Sequence, residues 1–468
     1  METDRKPGEE SRTSEGSGDA VSRSAPIEAS KTTQAPTVQA DPTQQLMEVV
    51  LGKQNLIAAL ERVEANKGSA GIDGMTTEEL RSFLKGSWEQ LRGQLLTGEY
   101  RPQPVRRVVI PKPGGGERNL GIPTVLDRFI QQALLQVMAP LFDPHFSKSS
   151  HGFREGRSAH EAVRAARGYV AEGMEWVVDL DIEKFFDHVN HDILMRLISE
   201  RVKDKRVLKL IGRYLRAGVM THGVVIATGE GTPQGGPLSP LLSNIMLDVF
   251  DKELERRGLR FSRYADDCNI YVRSERAAQR VMASVTKFLG QKLKLRVNPR
   301  KSAVARPQQR RFLGFTIRKA LIRVAPESRE RLHQKVVELT GRSCGRSIEQ
   351  VIERLNKYLL GWSGYYALGE HARWLTEMDG WIRRRLRQLW WVQRKTPRKR
   401  WEGLAELGTK RLLASTLTSS QRGPWRLSKT EALHAALNQK YFDKLGLVSL
   451  AAVWEQTRKK WQLAAVAS

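Results

Sequence analysis

The chain has 468 residues, enough for two or three domains and a substantial core. Its 78 Lys and Arg stand against 51 Asp and Glu, a formal charge of +27 whose self-repulsion points to a polyanionic partner, nucleic acid before membrane surface. Two cysteines, Cys268 and Cys344, exclude a disulfide scaffold and a four-thiolate zinc site, and the absence of a transmembrane-length apolar run or signal core points to a cytoplasmic protein.

In chain order, residues 1–43 lack aromatics and are rich in Ser, Thr, Glu, Gly, Ala and Pro, which reads as a disordered leader. Helical periodicity runs from about Gln45 to Ala65. The Gly-rich stretch 67–74 lacks the ending of a phosphate-cradling loop. Residues 106–118 read as a strand and basic hairpin, followed by a helix over about 127–142. The β-branched run Trp176–Ile182 enters Glu183-Lys-Phe-Phe-Asp187, and helices are expected from about Asn190, over 240–256 and near 275–292. A short strand is centred on 312–317, and from Ser347 a helix ends at Gly361. The mixed pattern gives way to helices near 325–345.

Tyr264-Ala-Asp-Asp267 lies between alternating apolar stretches and reads as a hairpin with two acids at its tip. Adjacent carboxylates beside buried strands repel each other, and a hard cation such as Mg²⁺ relieves that repulsion with oxygen ligands. A strand ending at Asp181 can supply a third carboxylate. Two-metal phosphoryl transfer needs such a set. Asp179 lies two residues earlier on the same strand face, and spacing does not choose between the two.

Asp181-Ile-Glu-Lys-Phe-Phe-Asp187, Pro233-Gln-Gly-Gly-Pro-Leu-Ser-Pro240, Tyr264-Ala-Asp-Asp267 and Phe312-Leu-Gly-Phe315 follow one another as the blocks of reverse transcriptases do. With Gly121–Thr124, His151–Ser158 and Asn298–Lys301, the chain resembles a bacterial group II intron reverse transcriptase and maturase over about 45–465. The resemblance implies an α+β right-hand polymerase, with fingers and an antiparallel palm over 44–330. An all-helical maturase or thumb domain follows over 331–468. It also implies an RNA-directed DNA polymerase that uses RNA template, DNA primer or target and deoxynucleoside triphosphates, and that binds group II intron RNA to assist splicing and retromobility.

Carried over residue by residue, Asp181, Asp266 and Asp267 would be catalytic and hold two Mg²⁺ ions, with Mn²⁺ a possible substitute. Lys112, Arg118, Phe186 and Gln234 would bind the incoming nucleotide, Phe186 excluding a 2′-hydroxyl and Arg106 a weaker candidate for the triphosphate. Phe312, Leu313 and Gly314 would grip the primer, with Gly235 and Gly236 letting backbone approach substrate. Arg154 and Arg157 would track template phosphates, and His151 would hydrogen-bond structurally. Between Arg373 and Trp401 ten basic residues interleave with five tryptophans, and Arg383, Arg384 and Arg387 are the expected RNA contacts. No cysteine follows Cys344, so a zinc-binding nuclease of the kind many relatives carry is not expected.

Overall fold

A computed structural model describes residues 42–111, 117–221, 224–226, 235–342, 345–370 and 373–467. The expected leader to residue 41, Lys112, Gln234 and Cys344 lie outside the described residues. Among the described residues ten strands run in chain order as β1 (Val105–Pro111), β2 (Glu117–Ile122), β3 (Trp176–Asp181), β4 (Val219–Thr221), β5 (Val224–Ile226), β6 (Arg260–Tyr264), β7 (Asp267–Val272), β8 (Ala303–Ala305), β9 (Phe315–Arg318) and β10 (Leu321–Val324). They form three sheets, ordered β2-β1-β4-β5, β6-β7-β3-β8 and β10-β9. Every pairing is antiparallel except β1 with β4. Helices fill the rest, and after β10 the described chain is helical.

The second sheet positions the site. Its central strands are apolar because helices cover one face: Val178, Leu180, Cys268 and Ile270 are all within 1% of full burial. Against them pack the helices Ser239–Arg256 and Glu275–Phe288, the latter capped by the Ser274 hydroxyl, which accepts from the Ala277 N–H. The helix Val125–Phe142 begins where expected, capped by Thr124. Buried Asp127 in its first turn accepts from Tyr100 Oη at 2.8 Å, Thr124 Oγ1 at 2.8 Å and the Gln103 N–H at 3.1 Å.

Two expected helices differ. The first breaks at Leu51–Gly52 into Leu46–Val50 and Lys53–Ala65, with extended Gly52 starting the second piece. The helix from Ser347 does not stop at Gly361. It continues to Tyr366, because Trp362 and Ser363 are buried on its inner face and both nearby glycines point into open space. A helix at Pro326–Leu339 runs through position 330, and its Leu332 and Val336 belong to the core of the helical part.

That second core is built on Trp390, Trp391 and Trp454, all at most 2% exposed. The helix Leu450–Ala467 is seated by Asp379, whose carboxylate accepts from the N–H groups of Leu450 at 2.7 Å and Ala451 at 3.1 Å and from Ser449 Oγ at 2.7 Å. Carboxylate capping of this kind satisfies otherwise orphaned donors and favours the positive helix end. Farther along the same helix, Trp461 meets the His160 ring edge-on at 4.9 Å, and Arg458 Nη1 donates to the Gly369 carbonyl at 2.8 Å. No helix among the described residues is long and apolar enough to cross a membrane.

Candidate active site

β6 and β7 are joined by Ala265 and Asp266 alone, with Tyr264 opposite Asp267. The turn requires positive φ at its first residue, and Ala265 adopts +59°. A nearby backbone holds it there. Gly152 lies so close that a Cβ on it would meet the Ala265 nitrogen and stand 2.9 Å from the Tyr264 carbonyl carbon. Beneath the turn Arg263 is fully buried and pairs with Asp251 at 2.5 Å. Its guanidinium also donates to Ala265 O at 2.8 Å, Asn244 Oδ1 at 3.0 Å and Ser150 Oγ at 2.7 Å. This charged centre welds the acid turn to the Ser239–Arg256 helix and the His151 loop. Neither its burial nor its partners were legible in the sequence.

Register then brings the acids together. Asp181 at the end of β3 is paired across the sheet with Asp267 at the start of β7, and Asp179 with Asn269. Directly opposed residues share a face with Cβ atoms about 5 Å apart. Asp179, Asp181, Asp266 and Asp267 all line one cleft of about 890 Å³, with Phe186, Lys301 and Arg310 on its walls. Burial, then the charges of Asp179, Asp266 and Asp181, push the Asp267 carboxyl up to about 8. Such a group is short of positive charge, and its oxygen-only surroundings suit a hard divalent cation in kind. In arrangement the set is not closed: no group of three or more His, Cys, Asp or Glu among the described residues converges on a point able to hold an ion. Asp181 faces the exposed Lys301 ammonium at 3.4 Å. Asp179 is committed elsewhere, its Oδ2 accepting from Arg310 Nε at 2.6 Å.

Other expectations sort by burial. After Lys184, at φ +42°, a short 3₁₀ turn sends Phe185 into the core at 2% exposure, while Phe186 is half-buried and lines the cleft. Arg118 is placed by its backbone opposite Ile110 in the β1–β2 hairpin. Phe312, Leu313 and Gly314 form a tight turn in which Phe312 and Phe315 exchange backbone hydrogen bonds, with φ of +51° at Leu313 and +85° at Gly314. Phe312 is a core residue, 3% exposed, and Tyr365 Oη donates to the Leu313 carbonyl at 2.9 Å.

Several expectations need correction. Gly235 and Gly236 approach protein, the Gly121 carbonyl and the Gln131 side chain, where a Cβ would clash. Arg154 is not open to phosphates, because its guanidinium is anchored on Asp143, the Ser147 carbonyl and the Ser150 carbonyl. Arg387 is not an RNA contact: it is 3% exposed and donates to the carbonyls of Ser428 at 3.1 Å and Leu437 at 3.2 Å. Burial, with Arg383 and Arg384 close by, pushes it down to about 10. Arg384 is half-buried, stacked 3.6 Å over Trp425 and donating to the Trp425 carbonyl, and Arg383 is half-buried beside them. The five tryptophans between Arg373 and Trp401 are buried or half-buried. Trp381 stacks on His333 at 4.0 Å, and Arg394 and Arg400 cover the buried Trp390 and Trp391.

His151 does not hydrogen-bond through its ring. Both ring nitrogens are buried without a hydrogen bond, Nδ1 standing 3.9 Å from the Glu161 carboxylate, and its backbone N–H donates to the Arg263 carbonyl. Burial, then Arg157, pushes the imidazole down to about 4. The folded state therefore holds it neutral, and the unfolded chain protonates it first as pH falls. Its contribution is whole above about pH 6.5 and is lost between there and about 4, an order-of-magnitude cost of about 3 kcal/mol. Urea unfolding at pH 7 and pH 4.5 is expected to show this loss, and His151→Gln is expected to show a smaller one.

Residues 110–317 match the reverse transcriptase (RNA-dependent DNA polymerase) family, a span that contains the four acids and the Phe312 turn. The part of the chain around the cleft is therefore similar to reverse transcriptase domains. Residues 329–406 match the group II intron maturase-specific domain. The chain thus carries a stretch similar to reverse transcriptases followed by one similar to group II intron maturases.

Similar proteins include Protein YkfC of Escherichia coli K12, 39% identical over 46% of this chain and 58% of that one. Group II intron-encoded protein LtrA of Lactococcus lactis is 37% identical over 44% of this chain and 34% of its own. The putative COX1/OXI3 intron 2 protein of Saccharomyces cerevisiae is 31% identical over 51% of this chain and 28% of its own. The matched stretch thus spans 28% to 58% of the length of these relatives.

Proposed function

We propose that this protein is an RNA-directed DNA polymerase of a group II intron, which also binds the intron RNA and assists its splicing and mobility. The single observation that carries the reading is the register pairing of Asp181 with Asp267, beside Asp266, at the mouth of one cleft. Fingers and palm would occupy 44–330 and the thumb or maturase domain 331–468.

Asp181, Asp266 and Asp267 would hold two Mg²⁺ ions, with Mn²⁺ able to substitute. Bound there, the ions would lower the pKa of the primer 3′-hydroxyl and stabilise charge on the leaving pyrophosphate. The Lys301 ammonium gives way readily because its contact with Asp181 is long and exposed. Lys112, Arg118 and Gln234 would bind the triphosphate and base, and the tight Phe312–Leu313–Gly314 turn would hold the primer end. Phe186 would wall the sugar pocket, so Phe186→Ala is expected to raise ribonucleotide incorporation relative to deoxynucleotide by roughly tenfold or more, read from single-nucleotide kcat/KM ratios. In the helical domain the exposed Arg373, Lys395, Arg398 and Lys399, together with half-buried Arg383 and Arg384, are among the groups able to meet RNA phosphate.

The test combines purified protein with an RNA template, a DNA primer, Mg²⁺ and deoxynucleotides, and in parallel with the flanking intron RNA. Extension together with faster intron splicing is expected. Extension with no effect on splicing would point to another kind of reverse transcriptase, and splicing help without extension to an RNA chaperone.

A further inference from the structure

The cleft floor contains a pairing that the polymerase reading leaves unused. Asp179 sits one strand period behind Asp181 on the same face of β3 and is 9% exposed. A carboxylate so placed competes with its neighbours for any cation brought into the cleft. Arg310 cancels it: Nε donates to Asp179 Oδ2 at 2.6 Å, and Nη2 donates to the Lys301 carbonyl at 2.5 Å. Two residues farther on, the chain enters the Phe312–Phe315 turn.

The segment leading to that turn is pinned to β3 at both ends. Arg306 lies 4.6 Å over the Trp176 ring and pairs with Glu175, while Arg310 holds Asp179. β8 between them and Lys301 is itself laddered onto β3, Ala303 opposite Asp179. One guanidinium therefore joins three parts: the strand that ends in Asp181, the loop whose lysine faces Asp181, and the turn proposed to hold the primer.

We infer that Arg310 is a positioning residue, which by holding Asp179 neutralises the surplus carboxylate and locks the Phe312–Phe315 turn to the strand carrying Asp181. The inference rests on the polymerase reading for its consequence in DNA synthesis, while its electrostatic half concerns ion binding alone. Removing Arg310 strands Asp179 as an unpaired carboxylate beside the acids. Removing both charges leaves no surplus.

The experiment compares wild type, Arg310→Gln, Arg310→Lys, Asp179→Asn and the double variant Arg310→Gln/Asp179→Asn. Mn²⁺ binding is followed by electron paramagnetic resonance, primer extension at saturating substrate gives kcat, and thermal melting checks the fold. Arg310→Gln is expected to lower kcat by about tenfold or more and to shift half-saturating Mn²⁺ by about fivefold, as expected for an uncompensated buried charge. Arg310→Lys and the double variant are expected to recover most of both changes, a coupling that packing loss alone does not give.

Arg310→Gln that leaves kcat and Mn²⁺ binding within twofold of wild type overturns the inference. So does a double variant no better than Arg310→Gln. Should Arg310→Gln fail to fold, Asp179→Asn in the wild-type background decides the matter: near-normal Mn²⁺ binding supports charge cancellation, and a loss as large as that of Asp266→Asn contradicts it. A wild type that binds Mn²⁺ without extending primers sinks the polymerase reading, and the Mn²⁺ titrations still judge Arg310.

Discussion

Asp266→Asn is expected to cut primer extension by at least about a thousandfold, near 4 kcal/mol of transition-state stabilisation, while leaving the melting temperature close to wild type. The reasoning is local. Asp266 occupies the turn between β6 and β7, and its carboxylate is one of the charges that push neighbouring Asp267 up. Amide substitution would remove the proposed cation ligand and relieve repulsion on Asp267, so only a small change of stability is expected. Single-nucleotide incorporation with a preformed RNA–DNA primer–template measures the loss. A variant within about tenfold of wild type would show that this acid is not part of the chemistry.

The second large effect is structural. Arg263→Leu is expected to destabilise the protein by about 3–5 kcal/mol, because it leaves Asp251 as an unpaired charge in a fully buried position. The same substitution also strands the Asn244 side-chain oxygen and the Ala265 carbonyl, so the acid turn loses its support from below. Urea denaturation reads the first consequence and primer extension the second. Arg263→Leu/Asp251→Leu is expected to recover a large part of the stability, since no charge is then left uncompensated. Activity is expected to recover less, because the hydrogen bond to the turn remains absent. Equal loss in both variants would show that hydrogen bonding, not charge, dominates the network.

How much of this was readable in the sequence differs by the range of the forces involved. Alternation along Phe261–Tyr264 and Cys268–Val272 marks a hairpin, because strand period is a local property, and the structure places the acids at its tip. The strand ending at Asp181 is legible for the same reason. Its register against β7 is not, since pairing across some 85 residues depends on the whole sheet. The pairing of Asp179 with Arg310, a partner 131 residues away in the chain, is not legible for the same reason.

Charge was the least legible feature. The string of arginines after Trp381 looks like a solvated basic face, yet Arg387 is threaded into the helical core to satisfy the Ser428 and Leu437 carbonyls. Arg385 likewise donates to Thr340 Oγ1 at 2.9 Å, tying its helix to Pro326–Leu339. A long side chain can bury its stem and still find acceptors, so composition does not say which arginines meet RNA and which hold helices together. Four of the five tryptophans follow the same rule: Trp374, Trp381, Trp390 and Trp391 each meet a ring or a cation. For Phe185 and Phe186 the residue types were readable but the direction was not, because the positive φ of Lys184 sets which ring turns inward.

The most direct measurement is anomalous diffraction from crystals of the protein grown with an RNA template, a chain-terminated DNA primer, a deoxynucleoside triphosphate and Mn²⁺. Two peaks are expected in the cleft beside the carboxylates of Asp181, Asp266 and Asp267, with the primer terminus next to them. Manganese absent from that cleft while primer and nucleotide are bound, or seated on Asp179 in place of Asp181, would contradict the account.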